Sequence, residues 1–272
     1  MSSWEKELNT AVKAARKAQD IILEYRESRA FEIDFKGEND LVTDADLKAE
    51  QVILEIIRDA FPGDTWLAEE SAEELKLPEG RSWLIDPIDG TTNFAHGFPV
   101  FCVSIALWEN GKPRVGVMLE VNSDDLFTAI KGEGAWLNDQ AIAVSSLEDP
   151  ANALIGTGFP YNDLSLVDDY MVYFRRLMDY TQGVRRPGSA AYDLCCVACG
   201  WFDGFYEYSL NAWDVAAASL IVQEAGGIVT DWNGEDHWLF GERIVAGNPS
   251  IHHFLLNHMQ DVFTAEDRAP VR

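Results

Sequence analysis

Apolar residues recur at helical spacing over residues 4–26, where Leu8, Val12, Ala15, Ile22 and Tyr25 fall near one face, and this period predicts an amphipathic helix. A short alternation at Phe31, Ile33 and Phe35 predicts a strand. Thr43-Asp44-Ala45-Asp46 has the form of a capping box, and it opens a helix whose buried stripe is Val52, Ile53, Ile56, Ile57 and Ala60. Pro62-Gly63 ends it. Two apolar runs of strand length, 65–68 and 83–85, each lead directly into acidic residues. Residues 98–145 read as an antiparallel meander, with turn signals at Glu109-Asn110-Gly111-Lys112 and Gly132-Glu133-Gly134.

After Pro150 the pattern alternates between strand and helix. Strands are expected near Leu154, at 205–208, at 228–231 and near Ile244, with helices at 166–180, 188–200, 213–225 and 250–263. This is an α+β chain in layers, with a lobe boundary expected near Ser145 to Pro150. Residues 1–148 would form an N-terminal α+β lobe and 149–272 a C-terminal α/β lobe. Thr264 to Arg272 reads as a frayed tail.

Composition narrows the class. With 272 residues, 47% of them hydrophobic, the chain can bury a large core. The segment from Trp4 to Tyr25 mixes charges through its apolar positions, unlike a signal peptide. No run is long and uncharged enough to cross a bilayer, so a cytoplasmic protein without a membrane partner is expected. The formal net charge of -25 argues against binding a nucleic-acid backbone, which takes a basic surface. Cys195, Cys196 and Cys199 crowd one segment with no second ligand pair to complete a zinc site. Together with Cys102, they are expected to be small buried residues.

The densest chemistry lies in WLIDPIDGTTNF, residues 83–94. An apolar strand delivers Asp86, Pro87 stiffens the turn, Asp89 follows three residues on, and Gly90-Thr91-Thr92 opens a short helix. Two carboxylates on one rigid turn can share or bridge divalent cations, and hard oxygen ligands suit magnesium. The first amides of the helix are a natural seat for phosphate oxygens. Bound cations would also turn an acidic surface into one that attracts an anionic substrate. Taken singly, Glu69-Glu70 reads as an exposed acidic corner, Asp214 as a helix N-cap, and Asp46 as the reciprocal acid of a capping box.

Taken together, Glu69-Glu70-Ser71, the string from Asp86 to Phe94, Trp213-Asp214-Val215-Ala216-Ala217-Ala218 and Glu224-Ala225-Gly226-Gly227 resemble the inositol monophosphatase family in order and spacing. The resemblance implies a layered αβαβα sandwich, a homodimer, lithium sensitivity and Mg2+-dependent hydrolysis of a small phosphorylated polyol or sugar, foremost myo-inositol monophosphate. It implies that Glu69, Asp86 and the carbonyl of Ile88 hold a first magnesium, and Asp86, Asp89 and Asp214 a second. A third, weaker ion would sit near Glu69. Thr91 with Asp46 would orient the attacking water, and the Gly90 and Thr91 amides would hold phosphate. Gly188, Ser189, Ala190 and Glu207 match the family's contacts to the alcohol, and Lys36 matches a segment that closes over the site. His96 reads as structural.

Three alternatives stand beside this reading. Phosphatases of the haloacid dehalogenase type use Asp-x-Asp, whereas two residues separate Asp86 from Asp89 here. Related enzymes of the superfamily act on fructose bisphosphate, histidinol phosphate or phosphoadenosine phosphate. A non-catalytic interaction protein could keep the same fold, although every expected acidic position is filled.

Overall fold

A computed structural model describes residues 4–28, 33–37, 40–161 and 163–271, with only the backbone described at 33–37 and 40–42. The first half of the chain forms α1 (Glu5–Ser28), β1 (Ile33–Gly37), β2 (Asp40–Thr43), α2 (Asp44–Ala60), β3 (Thr65–Ala68), β4 (Arg81–Asp89) and α3 (Thr91–His96). The meander follows as β5 (Cys102–Glu109), β6 (Lys112–Glu120), β7 (Leu126–Ile130), β8 (Ala135–Leu137) and β9 (Gln140–Ile142). The second half contains β10 (Leu154–Thr157), α4 (Val167–Tyr180), β11 (Gly183–Arg185), α5 (Ala190–Ala198), β12 (Gly204–Tyr208) and α6 (Ala212–Glu224). It ends with β13 (Ile228–Thr230), β14 (Arg243–Gly247) and α7 (Pro249–Gln260).

β3 to β9 pair in sequence order as one sheet, parallel between β3 and β4 and antiparallel thereafter. The second sheet runs β11-β10-β12-β14-β13 and is mixed. The alternation of side chains along each strand sets the layers. Trp83 and Ile85 of β4 pack with Ala11, Ala14, Ile53 and Ile57 of α1 and α2, while Leu84 between them joins the α5 and α6 side. In β12, Phe205 faces α5 and α6, and Tyr206 faces Tyr173 of α4 and Leu255 of α7. The result is the expected αβαβα sandwich.

The middle helix α6 is covered by sheet on both sides, so it is apolar all round, with Val215 to Val222 buried. Its alanines permit close approach. A Cβ added at Gly116 of β6 would lie 2.6 Å from the carbonyl oxygen of Ala217, which leaves glycine the only residue that fits there.

The predicted elements recur with shifted ends, and three features differ. β4 runs on through Pro87 to Asp89, because its pairing with β5 skips between Asp86 and Asp89 and the extra residues bulge out. β2 and β11 escaped prediction, being three- or four-residue strands without an alternating stretch of their own. The expected frayed tail is instead tied down. Arg243 Nε donates to the Asp267 carbonyl, Asn233 Nδ2 to that of Arg268, and the Val271 amide to that of Gly241. Phe31 lies outside the described residues, and so does the Lys36 side chain.

Gly116→Ala should lower the urea midpoint of unfolding by an amount worth about 1–3 kcal/mol, the usual cost of overpacking a filled interface. An unchanged midpoint would show that α6 can back away from the sheet.

Candidate active site

Strand ends and helix starts supply the acidic side chains. The β4 bulge puts Asp86 and Asp89 on one turn, and β3 ends immediately before Glu69, whose amide donates to the Ile85 carbonyl at 3.1 Å. Gly90 then turns the chain with φ +98°. A Cβ there would meet the Val100 and Gly188 carbonyls at 3.1 and 3.2 Å, so glycine is required on both counts. Asn93 Nδ2 reaches the carbonyls of Val100 at 2.7 Å and Pro187 at 2.9 Å, which ties the 186–189 segment to α3.

Three acids of the site are held at helix N-termini. Asp46 closes the capping box of α2, with Oδ2 accepting the Thr43 amide at 2.8 Å. Its other oxygen lies 3.1 Å from Thr91 Oγ1, which is also 3.0 Å from the Ile88 carbonyl. Asp89 Oδ2 accepts from Ser189 Oγ and from the Ala191 amide at the start of α5, both at 2.7 Å. Asp214 Oδ2 accepts the Asn211 amide at 2.7 Å. Asp214 is thus the third residue of α6 rather than its N-cap, which corrects the reading of that residue taken alone; Asn211 is the cap.

Glu69, Asp86, Ile88, Asp89, Gly90, Thr91, Gly188, Ser189, Ala190, Glu207 and Asp214 all line one cleft of about 150 Å³. Asp46 stands behind it, in contact through Thr91. Every residue expected to hold metal, water, phosphate or the alcohol is therefore here or one hydrogen bond away. Two further charged lining residues, Arg186 and Asp193, went unforeseen, as did Gly158 and Leu210. Asp193 is the single charge in the apolar helix α5 and is buried, a signal that was available in the sequence. Ser189 faces Asp89 with its hydroxyl, which its place in the motif did not reveal.

The electrostatics are severe. Burial first, then the charges of Glu69, Asp89 and Asp214, push the Asp86 carboxyl well above its ordinary range. Asp214 is raised for the same reasons, with burial foremost and then Asp89 and Glu69. Asp89 is raised by burial in spite of its hydrogen bonds to Ser189 and the α5 amides. Glu207 is raised to about 8, mainly by burial, with Arg186 opposing.

Asp86 Oδ1 is buried without a hydrogen-bond partner among the described residues. A buried carboxylate oxygen left so among like charges is costly, and a hard divalent cation among carboxylate oxygens relieves both penalties. The donor set, all oxygen, fits magnesium.

A αβαβα sandwich with an acidic cleft between its sheets defines a class that comparison makes specific. A family profile described as inositol monophosphatase family matches residues 3–263, and the chain belongs to that family. It is 42% identical over 255 residues to the Nus factor SuhB of Escherichia coli (strain K12), covering 93% of this chain and 96% of that one. Among solved structures, extragenic suppressor protein suhB from Bartonella henselae aligns with a TM-score of 0.89 at 40% identity, covering 94% of this chain and 98% of its own. Inositol monophosphatase from Anabaena (Nostoc) aligns with a TM-score of 0.86 at 38% identity, over 97% and 99%.

Two predictions concern the charge in this cleft. Asp86→Asn removes a charge without changing size, so in chelator it should raise the thermal midpoint, while magnesium should stabilise the wild type and not the variant. A magnesium gain kept in full by Asp86→Asn would remove Asp86 from the ligand set. For Glu207, the folded state keeps a proton between its ordinary value near 4.5 and about 8 that the unfolded chain has released. Its contribution therefore falls as pH rises across that window. In chelator, Glu207→Gln should flatten the loss of stability between pH 5 and 8 by a few kcal/mol, at about 1.4 kcal/mol per pH unit. Parallel curves for variant and wild type would contradict the assignment.

Proposed function

We propose that this protein is a magnesium-dependent phosphoric monoester hydrolase acting on a small phosphorylated polyol, foremost myo-inositol monophosphate, by direct attack of water. The observation that carries this reading is the convergence of Glu69, Asp86, Asp89 and Asp214 on one cleft beside the Gly90-Thr91 turn, with a buried Asp86 oxygen that has no hydrogen-bond partner among the described residues. Glu69, Asp86, the Ile88 carbonyl, Asp89 and Asp214 would hold the metal. When bound, magnesium supplies positive charge against the phosphate and the leaving oxygen, and lowers the pKa of water.

The protein's own groups do the positioning. The Thr91 hydroxyl, donating to Asp46 or to the Ile88 carbonyl, leaves its lone pairs to accept a hydrogen bond from the attacking water. Asp46 is buried and fixed by its capping box, so it holds Thr91 in that orientation. The Gly90 and Thr91 amides would receive phosphate oxygens at the α3 start. Glu207, with a carboxyl that burial raises to about 8, can accept from or donate to hydroxyls of the alcohol. A Cβ on Gly158 would fall onto the Glu207 carboxylate, so glycine keeps that side of the pocket open. Gly188, Ser189 and Ala190 complete the wall.

The same reading includes lithium sensitivity, a cytoplasmic setting and a homodimer. Exposed Met171, Met178 and Tyr180 on α4 support the last. No described helix is long and apolar enough to cross a membrane. A second reading, a role exercised through binding rather than catalysis, is favoured by the name Nus factor carried by the Escherichia coli relative.

Phosphate release from myo-inositol monophosphate, compared with fructose bisphosphate, histidinol phosphate and phosphoadenosine phosphate in magnesium, tests both readings. The inositol ester should be preferred, and Asp89→Asn should cost roughly 100-fold or more in kcat, the scale of losing one preorganised electrostatic group. A chiral phosphate should be released with inverted configuration, because one in-line displacement inverts and two retain. Release no faster with enzyme than without would favour the binding role, and net retention would move the nucleophile to Asp86.

A further inference from the structure

The loop that joins β13 to β14 carries a second acidic group, far in sequence from the Asp86-Asp89 turn. Asp231 is wholly buried. Its Oδ1 accepts the amides of Asn233 and Glu235 at 2.8 and 2.9 Å, which locks the carboxylate plane. Its Oδ2 is buried and accepts no hydrogen bond among the described residues. It faces His237 Nδ1 at 3.6 Å, too far for a hydrogen bond, and Glu235 Oε2 lies 3.4 Å from the same nitrogen.

One carboxylate oxygen from each acid and one imidazole nitrogen thus lie within 4.8 Å of one another. Metal–ligand bonds of about 2.0–2.2 Å at tetrahedral angles separate neighbouring ligand atoms by roughly 3.3–3.6 Å, the spacing found on either side of His237. The geometry points to a divalent transition-ion site formed by Asp231, Glu235 and His237. Its imidazole ligand selects zinc or a similar borderline ion over magnesium. Asp231 is the floor of the site, and Glu235 and His237 are its exposed rim.

Asp236 is not a ligand, since its Oδ1 accepts from Trp238 Nε1 at 2.8 Å. That bond orients Trp238 edge-on to Trp108 of β5, with ring centroids 5.9 Å apart. A bound ion would therefore brace a loop of the second sheet where it rests on the first. The site is independent of the carboxylate cleft and of the reaction assigned to it.

The chain has five histidines, and none is among the residues lining the cleft, so ring-nitrogen spectra report this site and ignore metal in the cleft. Zinc chloride titrated into chelator-stripped protein labelled with 15N in histidine should shift the His237 ring before His96, His252, His253 and His258, and magnesium should leave it unmoved. Asp231→Asn keeps the Oδ1 acceptor, and Glu235→Gln changes an exposed position. Each should raise the zinc needed by about 10-fold or more, since even outer-shell partners act on that scale. His237→Ala should leave magnesium-dependent activity unchanged. A His237 ring that is unmoved by zinc, or one that responds at the same zinc concentration in both carboxylate variants, would overturn the site.

Discussion

Glu69, Asp86, Asp89 and Asp214 converge in one cleft and repel one another, and burial makes the charges of Asp86, Asp89 and Asp214 harder to hold. The Asp86 and Asp214 carboxyls are both raised well above their ordinary range, and one Asp86 oxygen has no hydrogen-bond partner among the described residues. Folding hydrophobic layers around such a group is unfavourable unless something positive is supplied. The rest of the molecule can be understood as the scaffold that holds this repulsion in place, with the balance left to a cation.

The scaffold works through helix starts. α2, α5 and α6 each direct N-terminal amides at an acid of the site: Asp46 in the α2 capping box, Asp89 against Ala191 of α5, and Asp214 in the capping arrangement of α6. The positive ends of these helices offset part of the carboxylate charge. The same bonds fix rotamers, so structural capping and site geometry are one set of contacts. The bland reading of Asp46 and the functional one are thus compatible, because its two oxygens serve Thr43 and Thr91 separately.

Membership in the inositol monophosphatase family accounts for the layered fold and the acidic cleft, while relatives at about 40% identity carry both phosphatase and Nus factor names. Fold alone does not choose between those roles. The proposed phosphatase reading draws on the cleft itself, where Glu69, Asp86, Asp89 and Asp214 converge beside the Ser189 and Thr91 hydroxyls.

Much of this was legible from the sequence by local rules. The 3.6-residue and two-residue periods located the helices and strands, the Thr43 to Asp46 box announced itself, and the acids at the ends of apolar runs marked the cleft, because periodicity and capping are properties of adjacent residues. Short β2 and β11 were illegible, since three or four residues carry too little pattern and their pairing comes from distant partners. Asn211 and Asp214 form a capping box of the same local kind, whereas tertiary structure alone decided that Ser189 turns to Asp89, that Arg186 joins Asp193 in the cleft, and that the C-terminal residues are tied to Gly241 and Arg243. Each of these depends on a contact between segments far apart in the chain, and no local rule encodes which distant group will arrive.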